Sequence, residues 1–154
     1  MEFGTIEREF HIDAAPEVVY DVVSSPEHIR EWWGAETSLD PTPGATGELT
    51  WEESPKGEEM VVAITVVEAD PPRLFSFRWL QDRGEVATST NSLLVTFELT
   101  PSGTGTVLRL TEDGFREIGW EVAVLEDAYQ DHNSGWDAYV PAIGRHAERL
   151  VSRP

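Results

Sequence analysis

The sequence predicts an α+β domain: a curved, six-stranded antiparallel sheet wrapped around a long C-terminal helix, with two short helices after the first strand. Three observations carry that prediction. Apolar residues alternate with a period of two at the start of the chain and again through its middle, as they do in half-buried strands. The last segment switches to a three-and-four spacing, the mark of a helix that buries one face. A length of 154 residues suits one hydrophobic core, so residues 1–154 read as a single domain.

Thr5 to Ile12 is the first strand, with Ile6, Phe10 and Ile12 on one face and Glu7, Glu9 and His11 on the other. Two short helices follow. Each opens on a proline, Pro16 ahead of Val18 to Val23 and Pro26 ahead of Trp32-Trp33, where the missing amide costs a helix nothing, and Ser25 can cap the second. The proline- and glycine-rich stretch from Asp40 to Gly47 is short enough to be a loop within the domain.

Five strands then fit a meander, at Gly47–Glu52, Glu59–Ala69, Arg73–Trp79, Asn91–Leu99 and Thr106–Glu112. Turn residues join them at Ser54–Gly57, Asp70-Pro71-Pro72 and Pro101–Gly105. By strand parity, Leu49 and Trp51, then Phe75, Phe77 and Trp79, then Val95, Phe97 and Leu99, then Leu108 and Leu110 form an inner wall.

On the final helix Trp136, Tyr139, Val140, Ile143, Ala147, Leu150 and Val151 make the apolar stripe. Its start has two readings. Ser134 with Asp137 resembles a capping box, while Leu125, Tyr129 and His132 carry the stripe further back. Pro141 falls inside the helix and removes the amide that would bond to the Asp137 carbonyl, so a kink is expected there.

Composition excludes several classes of function. Without cysteine there is no disulfide, no thiolate nucleophile and no thiolate-ligated metal. A net charge of −18, from 29 acids against 11 bases, makes nucleic acid and anionic membrane surfaces poor partners. The opening residues lack a basic start followed by an apolar run, and no stretch reaches the roughly 20 apolar residues of a membrane span, so a cytoplasmic protein without membrane insertion is expected.

Several local motifs, taken together and in order, resemble a known family. They are Ala15-Pro16-Glu17-Val18-Val19-Tyr20, Ser25-Pro26-Glu27, Trp32-Trp33-Gly34, Val67 to Pro72, Phe77-Arg78-Trp79, Gly105-Thr106, Asp113-Gly114-Phe115 and His132-Asn133-Ser134-Gly135-Trp136. From Ile6 to Leu150 the chain is similar to the START-like (SRPBCC, helix-grip) superfamily, in the branch named after the activator of a heat-shock chaperone ATPase. The resemblance implies the helix-grip fold and a cavity between sheet and C-terminal helix. Members of the superfamily carry lipids or plant hormones, cyclise polyketides, or protect producers of reactive natural products by taking the compound up. A fold supplies architecture and leaves chemistry to individual residues.

The cavity residues expected on these grounds are Arg8, Trp33, Trp51, Phe75, Phe77, Trp79, Phe97, Trp136, Tyr139, Val140 and Ile143. The tryptophans can stack on a flat ligand or simply be core. Parity turns Arg8 inward, where its guanidinium needs an anion: a ligand carboxylate, or an acid such as Glu148. His132, one turn before Trp136, can be a general base or polar handle, or a histidine hydrogen-bonded near a helix start; Tyr139 is the other candidate for chemistry. His11 faces outward, and His28 and His146 lack a second ligand at metal spacing, so no metal and no cofactor is expected. The acid pairs Glu52-Glu53, Glu58-Glu59 and Glu126-Asp127 read as solvated.

Three functions follow in order. The first is a binder of an apolar or aromatic, polyketide-like or lipid-like molecule, as monomer or homodimer, without turnover. The second is a cyclase- or hydrolase-type enzyme working in the same cavity. The third is a stress-related module that contacts a chaperone; a lone domain speaks against it.

Overall fold

The computed structural model describes residues 5–51, 60–80, 92–114 and 122–151. Along the chain these form β1 (Thr5–Ile12), α1 (Pro16–Ser24), α2 (Pro26–Trp33), β2 (Thr46–Trp51), β3 (Met60–Asp70), β4 (Leu74–Leu80), β5 (Leu93–Ser102), β6 (Gly105–Asp113) and α3 (Val122–Val151). The strands make one antiparallel sheet in the order β1-β6-β5-β4-β3-β2, so β1 crosses over to pair with the last strand. The fold is α+β and of the helix-grip type.

Pro16 and Pro26 each stand at the first turn of their helix, and Gly34 closes α2 in the left-handed region (φ 77°), where a side chain would be strained. Trp33 is therefore the last helical residue before a fixed reversal. Its carbonyl accepts the Trp51 indole N–H at 2.9 Å, and a bridge between Glu36 and Thr50 pins the following turn to β2.

The predicted inner wall is present. Leu49, Phe75, Phe77, Val95, Phe97, Leu99, Leu108 and Leu110 are buried, joined by Val62, Ile64 and Val66 of β3. Val67 is the extra residue at a register shift between Val66 and Glu68 and turns outward. From α3, Trp136, Val140, Ile143 and Ala147 face this wall. Glycine at 144 lets β1 close against the helix: a β-carbon there would come within 2.6 Å of the Phe10 ring.

The β5–β6 turn and the start of α3 differ most from expectation. β5 and β6 continue to Ser102 and from Gly105, leaving only Gly103-Thr104 as the turn; Gly103 at φ 63° makes that two-residue reversal accessible. α3 begins at Val122, not at the Ser134 box, and runs on through Pro141. A capping motif is only one of several possible starts, and helix ends shift by a turn or more when the helical period continues upstream, as it does here through His132. The Ser54–Gly57 turn, Asn91 and the acid pairs Glu52-Glu53 and Glu58-Glu59 lie outside the described residues, as do the side chains of Leu125, Glu126, Asp127 and Tyr129.

Candidate functional site

The grip closes on aromatic rings. Trp33 stands at their centre, 4 % exposed, stacked on Trp32 with centroids 4.9 Å apart and planes 9° apart. Around it lie Trp79 at 5.2 Å, Trp51 and Trp136 each at 5.6 Å, Phe77 at 6.1 Å and Tyr139 at 6.2 Å. Such distances and tilts are those of favourable edge-to-face and offset pairs. The structure thus brings together six expected cavity residues, Trp33, Trp51, Phe77, Trp79, Trp136 and Tyr139. Phe97 touches Trp136 and Phe77, and Phe75 touches Phe77. Val140 and Ile143 continue the same helix face deeper into the core.

A carboxylate sits inside this apolar cluster. Glu112 is wholly buried. Its Oε2 accepts the Trp79 indole N–H and its Oε1 the Trp136 indole N–H, both at 2.8 Å. His132 Nδ1 lies 2.9 and 3.0 Å from the same two oxygens. An indole can only donate, and a carboxylate can only accept, so His132 must present Nδ1–H. Burial pulls the His132 pKa down. The hydrogen bond and charge of Glu112, with the charge of Asp131, outweigh it and leave the pKa above its ordinary value of 6.5. The imidazole is thereby oriented and made more basic by a buried acid.

Glu112 is the site residue that the sequence reading missed. Parity was the available signal, because Leu108, Leu110 and Glu112 occupy one face of β6. At the edge of the cluster Trp79, Tyr139 and His132 keep some exposed surface. Burial, with the charge of Asp131, raises the Tyr139 phenol pKa, which keeps it a neutral hydroxyl at neutral pH.

Arg8 donates to α3 and, through its other terminal nitrogen, to the Glu7 carbonyl of its own strand at 2.8 Å. Its Nε donates to Asp137 at 2.9 Å and one terminal nitrogen donates to the Asn133 side chain at 2.6 Å. The acid is Asp137 because it lies one turn after Asn133 on the helix that crosses β1. Glu148 instead accepts the Asp13 amide at 2.9 Å.

His28 and His146, 118 residues apart, meet at 2.9 Å. Arg149 reaches His146 Nδ1 at 3.0 Å, and His28 Nε2 lies 3.1 Å from Asp21. Because arginine only donates, the direction of the chain is fixed: Arg149 to His146 Nδ1, His146 Nε2–H to His28 Nδ1, His28 Nε2–H to Asp21. This chain ties α1, α2 and α3 together. Among the described residues no group of three or more His, Asp or Glu is arranged to hold a metal ion. No helix among them is long and apolar enough to cross a membrane.

A six-stranded antiparallel sheet gripping a long C-terminal helix is the architecture of the START-like class. The chain belongs to the family described as "Activator of Hsp90 ATPase homolog 1-like protein", whose profile it matches over residues 13–148. Among curated proteins no sequence matches it. Solved structures share the fold at low identity. Protein MLL2253 from Mesorhizobium loti is 23% identical with a TM-score of 0.73, over 94% of this chain and 97% of that one. DynU16, of the dynemicin biosynthetic locus, is 19% identical with a TM-score of 0.71, over 94% of this chain and 47% of that one. The Aha1 dimer from Colwellia psychrerythraea is 17% identical with a TM-score of 0.69, over 94% and 96%.

Proposed function

We propose that the protein binds a flat, apolar or aromatic small molecule at the aromatic end of the grip, with the Glu112–His132 pair as its polar anchor. The observation that carries this reading is the wholly buried carboxylate of Glu112, held by two indoles and a histidine inside a cluster of rings. A buried ion pair is expensive, and apolar residues of similar volume would hold the fold at least as well. Perturbed titrating groups at the edge of an apolar site point instead to function. The ligand would enter where Trp79, Tyr139 and His132 remain partly exposed, stack on the rings and hydrogen-bond at the histidine. Uptake of a reactive or biosynthetic aromatic compound, for sequestration or self-protection, fits such a site; a neighbour in fold from the dynemicin biosynthetic locus supports that setting.

A second reading has one observation of its own. A histidine oriented by a carboxylate, seven residues before a neutral tyrosine on the same helix, is able to relay a proton, so cyclase-type turnover would use the same residues. Contact with a chaperone has less support. Among the described residues the exposed large apolar side chains are Phe10, Val67 and Val151, one each on β1, β3 and α3.

The test is tryptophan fluorescence and thermal shift against fatty acids, flavonoids, polyketides and aromatic natural products, with mass spectrometry after incubation. A saturable quench with a higher melting temperature and unchanged ligand mass supports binding, and converted ligand supports the enzyme.

A further inference from the structure

Two of the donors to the Glu112 carboxylate come from α3, His132 and Trp136, and they stand four residues apart on one stripe of the helix. The rest of that face is apolar, through Val140, Ile143 and Ala147. Apolar contact has no preferred direction, so a helix rolls or slides on it at small cost. A hydrogen bond does not survive such a motion: a shift of about 1 Å takes a donor out of range. The carboxylate grips one stripe only, so a second directional contact is needed to fix the turn.

Arg8 supplies it from the neighbouring strand. β1 pairs with β6 so that Ile6 stands opposite Glu112 and Arg8 opposite Leu110. One terminal nitrogen of Arg8 donates to the Glu7 carbonyl at 2.8 Å, which fastens the guanidinium to β1 itself. Nε donates to Asp137 at 2.9 Å, and the second terminal nitrogen donates to the Asn133 side chain at 2.6 Å and to its backbone carbonyl at 3.2 Å. Asn133 and Asp137 are the residues immediately after His132 and Trp136. Two adjacent stripes of the same turn are thus held at once, one on Glu112 of β6 and one on Arg8 of β1. A planar guanidinium with its donors in a fixed fork resists both rolling and sliding, which a point charge does not.

The geometry points to Arg8 as a positioning residue, one that sets the turn from His132 to Asp137 so that His132 and Trp136 meet Glu112. Its bearing on function rests on the reading of Glu112–His132 as the polar anchor of the site; its effect on the pair itself needs no ligand. An arginine that served only as a surface ion pair would leave the Glu112 contacts as they are. The Asp137 side chain is 65% exposed, and an ion pair there is worth little alone.

The test follows two signals of the free protein in Arg8→Met: the pH titration of the His132 ring in long-range 1H–15N spectra, and the indole N–H resonance of Trp136. Burial lowers the His132 pKa, and Glu112 with Asp131 brings it above 6.5 in the wild type. With the clamp gone the midpoint should fall and the indole resonance should move upfield as its hydrogen bond lengthens. Removing a nearby positive charge would by itself raise the midpoint, so a fall reports the lost contact. Arg8→Lys keeps the charge and loses the fork, so it should behave as Arg8→Met does. Asn133→Ala cuts one arm while placing a stronger helix former, so it should fold and move both signals the same way. Gly105→Ala strains β6 at its other end and controls for lost stability alone; it should leave both signals in place. A midpoint that rises or stays in Arg8→Met, unchanged signals in Asn133→Ala, wild-type behaviour of Arg8→Lys, or equal movement in Gly105→Ala would each overturn the assignment. Ligand binding is measured apart, so a site that takes no ligand and an Arg8 that positions nothing give different results.

Discussion

His132 holds its Nδ1 between the two carboxylate oxygens of Glu112, at 2.9 and 3.0 Å, where one residue comes from the end of β6 and the other from the third turn of α3. Sheet and helix are thus joined at their aromatic end by a histidine held on a buried carboxylate.

Removing the carboxylate leaves three donors without their acceptor. Glu112→Leu should destabilise the protein by about 3 kcal/mol, the usual cost of breaking a buried pair from one side. Denaturant unfolding followed by circular dichroism measures it. A loss under about 0.5 kcal/mol would mean that the indoles and His132 find other partners.

The same pair sets a pH dependence. The His132 pKa is raised in the folded state from 6.5, so the folded protein binds the proton more tightly than the unfolded chain. The stability this contributes is complete below pH 6.5 and is lost as pH rises through the folded value. Midpoints of urea unfolding should therefore fall between pH 6.5 and alkaline pH, and His132→Asn should flatten that part of the profile.

The helix-locking chain predicts tautomers. Long-range 1H–15N spectra at neutral pH should show both His28 and His146 as the Nε2–H form, since each Nδ1 accepts. A double-mutant cycle of His28→Ala and Asp21→Ala should give a coupling of about 0.5–1 kcal/mol, read from unfolding midpoints. Nδ1–H at either ring would reverse the inferred direction.

Gly105→Ala should cost about 2 kcal/mol, because its β-carbon would meet the Ile12 carbonyl oxygen, a backbone atom, at 2.5 Å. Thermal unfolding checks it, and an unchanged melting temperature would show that β1 can shift away.

Much of the fold was legible because it rests on local periods. Alternation marked the wall residues Phe75, Phe77, Val95 and Phe97, and the three-and-four stripe marked Trp136, Val140 and Ile143. The site was legible in its apolar part and in His132 and Tyr139, whose place on the helix stripe marks them, but not in the partner of His132. Glu112 shares the parity of Leu108 and Leu110, but nothing local announces that an acid is buried; its donors arrive from Trp79 and Trp136, 33 and 24 residues away. The contact between His28 and His146 depends on how α2 and α3 pack, which no local pattern encodes. Arg8 was read as inward by parity, and the choice of Asp137 over Glu148 followed from where α3 crosses β1.

The most direct test of ligand binding at the aromatic end is a titration of intrinsic tryptophan fluorescence with a hydroxylated flavonoid, in wild type and in His132→Asn. Saturable quenching is expected in the wild type, with affinity about tenfold weaker in the variant, the effect of losing one strong hydrogen bond. Quenching that never saturates in the folded protein, or equal affinity in both, would contradict a site anchored at His132.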